Sequence, residues 1–481
     1  MELDTLIKNV QVVTSTGIFP GFIGIAKGKI ELIGSASFLP EAKQLIDGGG
    51  NHVIPGIVDP EAHLAHTKPY RDDIETESRA AAAWGVTTWG LMQSSTQMGK
   101  EFGDEVSKER VPLYSEVFDV FKETSEKYSM VDFFLTPMIL RDEHAEQIPK
   151  LASQFGVTSY KIQLHLKTFE AISKFWKTGK RLGYFGYDDG TVFLAFENVS
   201  KIGIPALVCL HCENWEISRI LQDRLIKEGR KDFKAWNDRS PHYSEAMHVR
   251  EYTYLARALK CPIYIQHTTT EESMQEIVKA RAEGGRIISQ TGHHYLSLTE
   301  DAWRINVPLR DAETIEKLWT GLRDGIIDCV GSDHVNRAKS REQMEAPGDI
   351  WATESGFASR VEGLLPVMLS EGVSKGRISL QRLVQVCSEN TARAFGLFPQ
   401  KGSISIGADA DLVLVDLKKR VRLTQSMIHS KAGWSIYEGW EFHGWPIMTM
   451  LRGEVISRWD DEKKKAEIVG SPRGRYLPRK I

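Results

Sequence analysis

Cysteine is scarce in this chain: five residues in 481, at Cys209, Cys212, Cys261, Cys329 and Cys387. They are scattered and mostly inside apolar runs, which fits reduced thiols in a cytosolic protein better than a disulfide framework. Cys212, one position after His211, is read as a small packed residue rather than a ligand or nucleophile. Long apolar runs are missing as well. No stretch approaches the roughly 18 uninterrupted apolar residues that cross a bilayer. The first residues lack a basic segment followed by an apolar one, so no secretory signal is expected and the expected location is the cytoplasm. Neither sign of charge prevails: 61 Lys and Arg stand against 64 Asp and Glu, a formal net charge of −3. That balance gives no reason to expect a nucleic acid or a membrane as partner. Repeats and low-complexity segments are also lacking.

What is present is a soluble, globular composition, 41% hydrophobic and 26% charged. The length exceeds one ordinary core but suits a barrel of about 250 residues or more with an additional domain. Residues 5–52 read as short β-strands broken by turn residues, and residues 402–457 have the same texture. Between them, apolar strands alternate with amphipathic helical stretches at 73–84, 213–228, 244–259, 270–284 and 380–395. Alternation of this kind predicts a parallel sheet with outer helices. The expected architecture is α/β: a (β/α)8 TIM barrel over residues 56–398, with a small β-sandwich built from 1–55 and 399–458. A charged arm, 459–481, is expected to extend over a neighbouring subunit or to hang loose.

The chemistry begins at Glu61-Ala62-His63, which closes an apolar run after Pro55-Gly56. Alternate residues of a strand share a face, so Glu61 and His63 point the same way, a suitable first pair of metal ligands. Four later β-like runs answer it. One carries Lys161, one ends in His211, one ends in His267, and one brings Asp333 followed by His334. Ligating residues at successive strand ends are what a (β/α)8 barrel supplies at its C-terminal face. The long polar stretches 229–242 and 336–350 follow two of these strands and are expected to wall a pocket.

With Val-Ile-Pro-Gly-Ile-Val-Asp-Pro at 53–60, Tyr160-Lys161, His211-Cys212-Glu213-Asn214, Gln266-His267, Asn306-Val307-Pro308-Leu309-Arg310, Gly331-Ser332-Asp333-His334 and Gly-Ala-Asp-Ala-Asp-Leu-Val at 407–413, the chain resembles the cyclic amidohydrolases of the amidohydrolase superfamily. That group contains dihydropyrimidinase, hydantoinase, allantoinase and dihydroorotase. The resemblance spans about residues 6–457 and implies the barrel-plus-sandwich fold. It also implies two divalent metal ions that share a hydroxide and a carbamylated Lys161, with His211 and His267 on the second ion and Asp333 on the first. Imidazole and carboxylate donors suit zinc or a comparable first-row ion. Asp333 is the implied general base and acid in ring opening. A homodimer or homotetramer is implied by the resemblance alone.

Three departures stand out. The family's His-x-His is Glu61-Ala62-His63 here, which removes the positive charge left when carbamate, aspartate and hydroxide are set against two dications. The expected results are a less Lewis-acidic first metal, a shift towards manganese, or a single ion. His66 lies close enough in sequence to substitute, but it is not among the expected ligands. The tyrosine that hydrogen-bonds the oxyanion in hydantoinases and dihydropyrimidinases is Leu166, with His165 beside it. Glu-Thr-Cys-Pro of those relatives is Gln290-Thr291-Gly292-His293, with Ser289, Asn306 and His165 as expected substrate contacts and Trp84, Trp89 and Trp351 as aromatic wall or packing. The function expected is metal-dependent hydrolysis of a cyclic amide, imide or ureide. A non-catalytic scaffold and a hydrolase of acyclic amides or carbamates are the alternatives.

Overall fold

A computed structural model describes residues 2–35, 39–99, 107–167, 184–336, 339–345, 349–351 and 355–481. The N-terminal segment supplies β1 (Leu3–Val13), β2 (Ile18–Ala26), β3 (Lys29–Gly34), β4 (Ala42–Asp47) and β5 (His52–Pro55). The barrel strands are β6 (Ile57–His63), β7 (Val86–Gln93), β8 (Asp132–Pro137), β9 (Ser159–Gln163), β10 (Leu207–His211), β11 (Ile263–Ile265), β12 (Ile287–Gly292), β13 (Cys329–Gly331) and β14 (His334–Val335). The C-terminal segment returns with β15 (Leu412–Arg422), β16 (Glu441–Leu451), β17 (Glu454–Asp460) and β18 (Lys465–Ile468).

All barrel pairings are parallel and follow chain order. The ring closes between β8 and β9 by a bridge from Met138 to Lys161, and between β14 and β6 by His334 opposite Ala62. β13 and β14 are one eighth strand broken at Ser332-Asp333, where Asp333 takes φ +47°. Every residue of β6, β7 and β10 is buried, as strands covered on both faces require. Amphipathic helices cover the outside. Three begin with side-chain caps, where Asn214, Thr270 and Asp311 accept backbone N–H bonds from Ile217, Ser273 and Thr314.

Both ends of the chain meet in a nine-stranded sheet, in which Leu412 to Val415 of β15 pair with Pro55 to His52 of β5. Ile7, Val12, Ile23, Ile25, Leu412 and Met450 pack within it as a separate apolar cluster. The TIM barrel with a small terminal β-domain is therefore as expected.

Two segments differ from expectation. The polar stretch 229–242 contains a short helix, Phe233–Asp238, capped by Asp232. The 459–481 arm docks on its own barrel. Tyr476 bridges Phe133 of β8, and Arg479, 3% exposed, donates to the Leu135 carbonyl at 3.0 Å and to Thr158 and Ser159 hydroxyls at 3.1 Å each. These bonds add to the pairing of buried barrel-edge acceptors and hold the end of the tail on the barrel, so it is docked rather than loose.

Candidate active site

Strand ends β6, β9, β10 and the break between β13 and β14 converge on one cavity of about 200 Å³. Glu61, His63 and Asp333 place ligand atoms within 4.8 Å of one another, all buried. Asp333 is presented by the break in the eighth strand. Asp59 holds that break by accepting the Ser332 N–H at 2.9 Å and the Ser332 hydroxyl, while also accepting Trp89 Nε1–H at 3.1 Å. Burial raises the Asp59 carboxyl to about 6 against the hydrogen bonds it accepts.

Lys161, 1% exposed, donates to Glu61 Oε1 at 3.2 Å and to the Gln266 side-chain oxygen. Glu61 Oε2 accepts from Gln290 Nε2 at 2.7 Å. Burial, the largest influence, would raise the Glu61 carboxyl, but the Lys161 ammonium together with His63 and His267 lowers it overall. His63 Nε2 lies 3.3 Å from Asp333 Oδ1 and 3.5 Å from Glu61 Oε1. Burial opposes the imidazolium there, yet these carboxylates raise His63 overall. Asp333 also receives Arg360 Nη1. Against the effect of burial, that guanidinium and His63 hold the carboxyl well below the usual range.

The His211 and His267 rings lie 4.3 Å apart, and His165 lies 3.9 Å from His211. Burial lowers all three, so they are neutral imidazoles, the form that binds a cation. His63 Nδ1 and His267 Nδ1 are buried with no protein partner. Orphaned ring nitrogens beside two carboxylates are a donor set that fits a divalent first-row ion.

All six expected ligands thus come to one place. Of the expected substrate contacts, Asn306 and His165 line the cavity; Ser289 does not. Its hydroxyl bonds the Ile326 carbonyl at 2.7 Å and its N–H bonds Asp328, so its polar atoms are spent on the outer helix layer. His66 and Trp351 line the cavity. Trp84 instead packs on Trp445 and Trp89 on Asp59. His334 turns away to Glu77 at 2.9 Å. Cys212 is a buried thiol that burial keeps protonated.

Sequence reading missed Arg239, Arg360, Trp215 and Trp236 in the wall, and Gln290 behind Glu61. Gln290 sits in a motif already noted as altered, and that alteration was its signal. Arg360 lies away from any strand end and gave none.

The chain matches the Amidohydrolase family model over residues 246–456. It is 31% identical to a D-hydantoinase of Ralstonia pickettii over 99% of each chain, and 30% identical to an L-hydantoinase of Paenarthrobacter aurescens over 94% of each. Among solved structures, the L-hydantoinase (dihydropyrimidinase) from Arthrobacter aurescens superposes with TM-score 0.86 at 28% identity, covering 99% of this chain and 100% of that one. The class is that of barrel-fold amidohydrolases. Within it, the chain belongs to the cyclic amidohydrolase family and is an enzyme of that hydrolytic kind.

Proposed function

We propose that this protein is a metal-dependent hydrolase that opens a cyclic amide, imide or ureide. The observation that carries the reading is the convergence of Glu61, His63 and Asp333 within 4.8 Å at the cavity, beside Lys161 and His211, with His267 4.3 Å from the His211 ring. Glu61, His63 and Asp333 would hold one divalent ion, zinc or manganese. His211, His267 and a carbamylated Lys161 would hold a second. Such an ion, once bound, lowers the pKa of a water and polarises the scissile carbonyl.

The rest falls to the chain. Asp333 is anionic at neutral pH and accepts a proton from the attacking water as its oxygen bonds the carbonyl carbon. It returns that proton to the ring nitrogen as the C–N bond breaks, leaving a carboxylate and a free amine or ureido group. With Leu166 where hydantoinases have a tyrosine, His165 and Asn306 are the cavity donors nearest in role for the developing oxyanion. Indole walls from Trp215, Trp236 and Trp351 exclude water.

A one-ion form of the site is the second reading, raised by Glu61 standing where the family pattern has a histidine. Elemental analysis of protein purified without chelator, together with a ring-opening assay and the Glu61→His variant, tests both forms. Two equivalents of metal, lost with activity on chelation, support the two-ion site; one equivalent supports the simpler site. Protein that takes up neither zinc nor manganese and opens no ring overturns the hydrolase reading. Dimer or tetramer assembly and a cytoplasmic location remain part of this proposal, checked by light scattering and by fractionation.

A further inference from the structure

Among the described lining residues, two carboxylates, Glu61 and Asp333, meet three cationic groups, Lys161, Arg239 and Arg360, and Glu213 behind the wall partly offsets Arg239 at 3.6 Å. Metal binding adds positive charge. Converting Lys161 to an anion brings a second dication with it, and the site stays positive either way.

Arg239 is 1% exposed, and its guanidinium lies 3.9 Å from the Trp236 ring centroid and 5.7 Å from that of Trp215. One terminal nitrogen donates to Asn306 Oδ1, and the same nitrogen is 3.6 Å from Glu213 Oε1. Glu213 is divided, since its other oxygen is 3.3 Å from His211. Arg239 Nε–H is buried with no partner, and so is Arg360 Nε–H. A stacked guanidinium is held in plane by its aromatic neighbours, and its remaining N–H groups form a fork suited to a carboxylate. Unsatisfied buried donors in a cavity wall are costly unless a ligand supplies the acceptor.

We propose that the natural substrate is an anionic ring, a cyclic amide or ureide bearing a carboxylate that Arg239 receives across the cavity from Asp333. The proposal rests on the hydrolase reading and narrows its substrate class. Arg360 adds positive field at the catalytic end without leaving Asp333. A neutral ring of the same shape would leave the Arg239 donors unpaired and would be disfavoured on that ground.

The test uses 5-carboxymethylhydantoin and its uncharged carboxamide with the metal-loaded protein. Binding is measured by calorimetry and ring opening by absorbance. The carboxylate is expected to exceed the carboxamide by about tenfold or more in both affinity and kcat/KM. In Arg239→Met the two probes are expected to converge through KM. Equal or tighter binding of the carboxamide by the unaltered protein overturns the proposal, and this arm does not depend on the variant folding. Carboxylate-selective binding without ring opening of either probe retains the anion site and overturns the hydrolase reading instead. Ring opening of both with equal kcat/KM retains hydrolysis and overturns the anionic substrate.

Discussion

At the scale of single residues, Glu61 and Gln290 are best understood together. In the cyclic amidohydrolase pattern these positions hold a histidine and a glutamate, so this chain exchanges a neutral base beside a carboxylate for a carboxylate beside an amide. The negative charge has moved by one side chain rather than been added. That offsets the loss of positive charge expected from Glu61 alone, because Gln290 donates to Glu61 at 2.7 Å where a second carboxylate would repel it. Gln290→Glu is therefore expected to destabilise the metal-free protein, and Glu61→His to rescue it. Urea unfolding of both single variants and the double variant should show a coupling of about 1–3 kcal/mol; additive effects would reject the pairing.

Asp59 acts on the same site through the chain. Its folded-state carboxyl, raised by burial to about 6, lies above the ordinary value of 3.8, so the folded protein holds the proton more tightly than the unfolded chain. This stabilisation is full below pH 4 and is lost as pH rises to about 6. Asp59→Asn cannot titrate. The stability difference between the original protein and this variant should fall by on the order of 2–3 kcal/mol between pH 4 and 7. A flat difference would mean that Asp59 is ionised throughout.

At the scale of elements, the broken eighth strand and the docked tail perform opposite tasks. The break takes Asp333 out of the ladder at φ +47° and aims it into the cavity, backbone strain stored where function uses it. The tail restores bonding at β8 and β9. Arg479→Ala would remove donors from the Thr158 hydroxyl and from the Leu135 carbonyl and Ser159 hydroxyl, the last two keeping other partners, at a cost of about 1–3 kcal/mol in denaturant unfolding. An unchanged midpoint would show that water replaces the guanidinium.

For the whole molecule, the decisive link is Lys401. Its ammonium lies 2.5 Å from Asp132 on β8, 2.9 Å from Asp409 and 2.6 Å from Asp411 beside β15, all buried. The same three aspartates have the spacing of a metal site, but the lysine fills it and ties barrel to terminal sheet. Lys401→Met removes the shared cation of three buried carboxylates, leaving Asp132 with Arg452 and Asp409 with Lys29 but Asp411 without one of its charge partners, and is expected to cost about 3–5 kcal/mol. Thermal unfolding with and without added zinc checks this, and rescue by zinc would recast the cluster as a latent metal site.

The fold and the convergence of the expected site residues were legible because both are written in local pattern. Strand period and the polar residue closing each apolar run survive in one dimension, and a barrel turns strand order into neighbourhood. Ser289 misled for the same reason. It lies on the right strand, and only the packing of Arg281 and Asp328 against it shows that its polar atoms face the outer layer. Arg239, Arg360 and the tail's docking gave no local sign, since their roles depend on contacts between segments tens to hundreds of residues apart. The sequence by itself determined which chemistry this chain carries; tertiary structure alone decided which charges face the ring, because burial and charge pairing belong to the assembled cavity and to no segment of it.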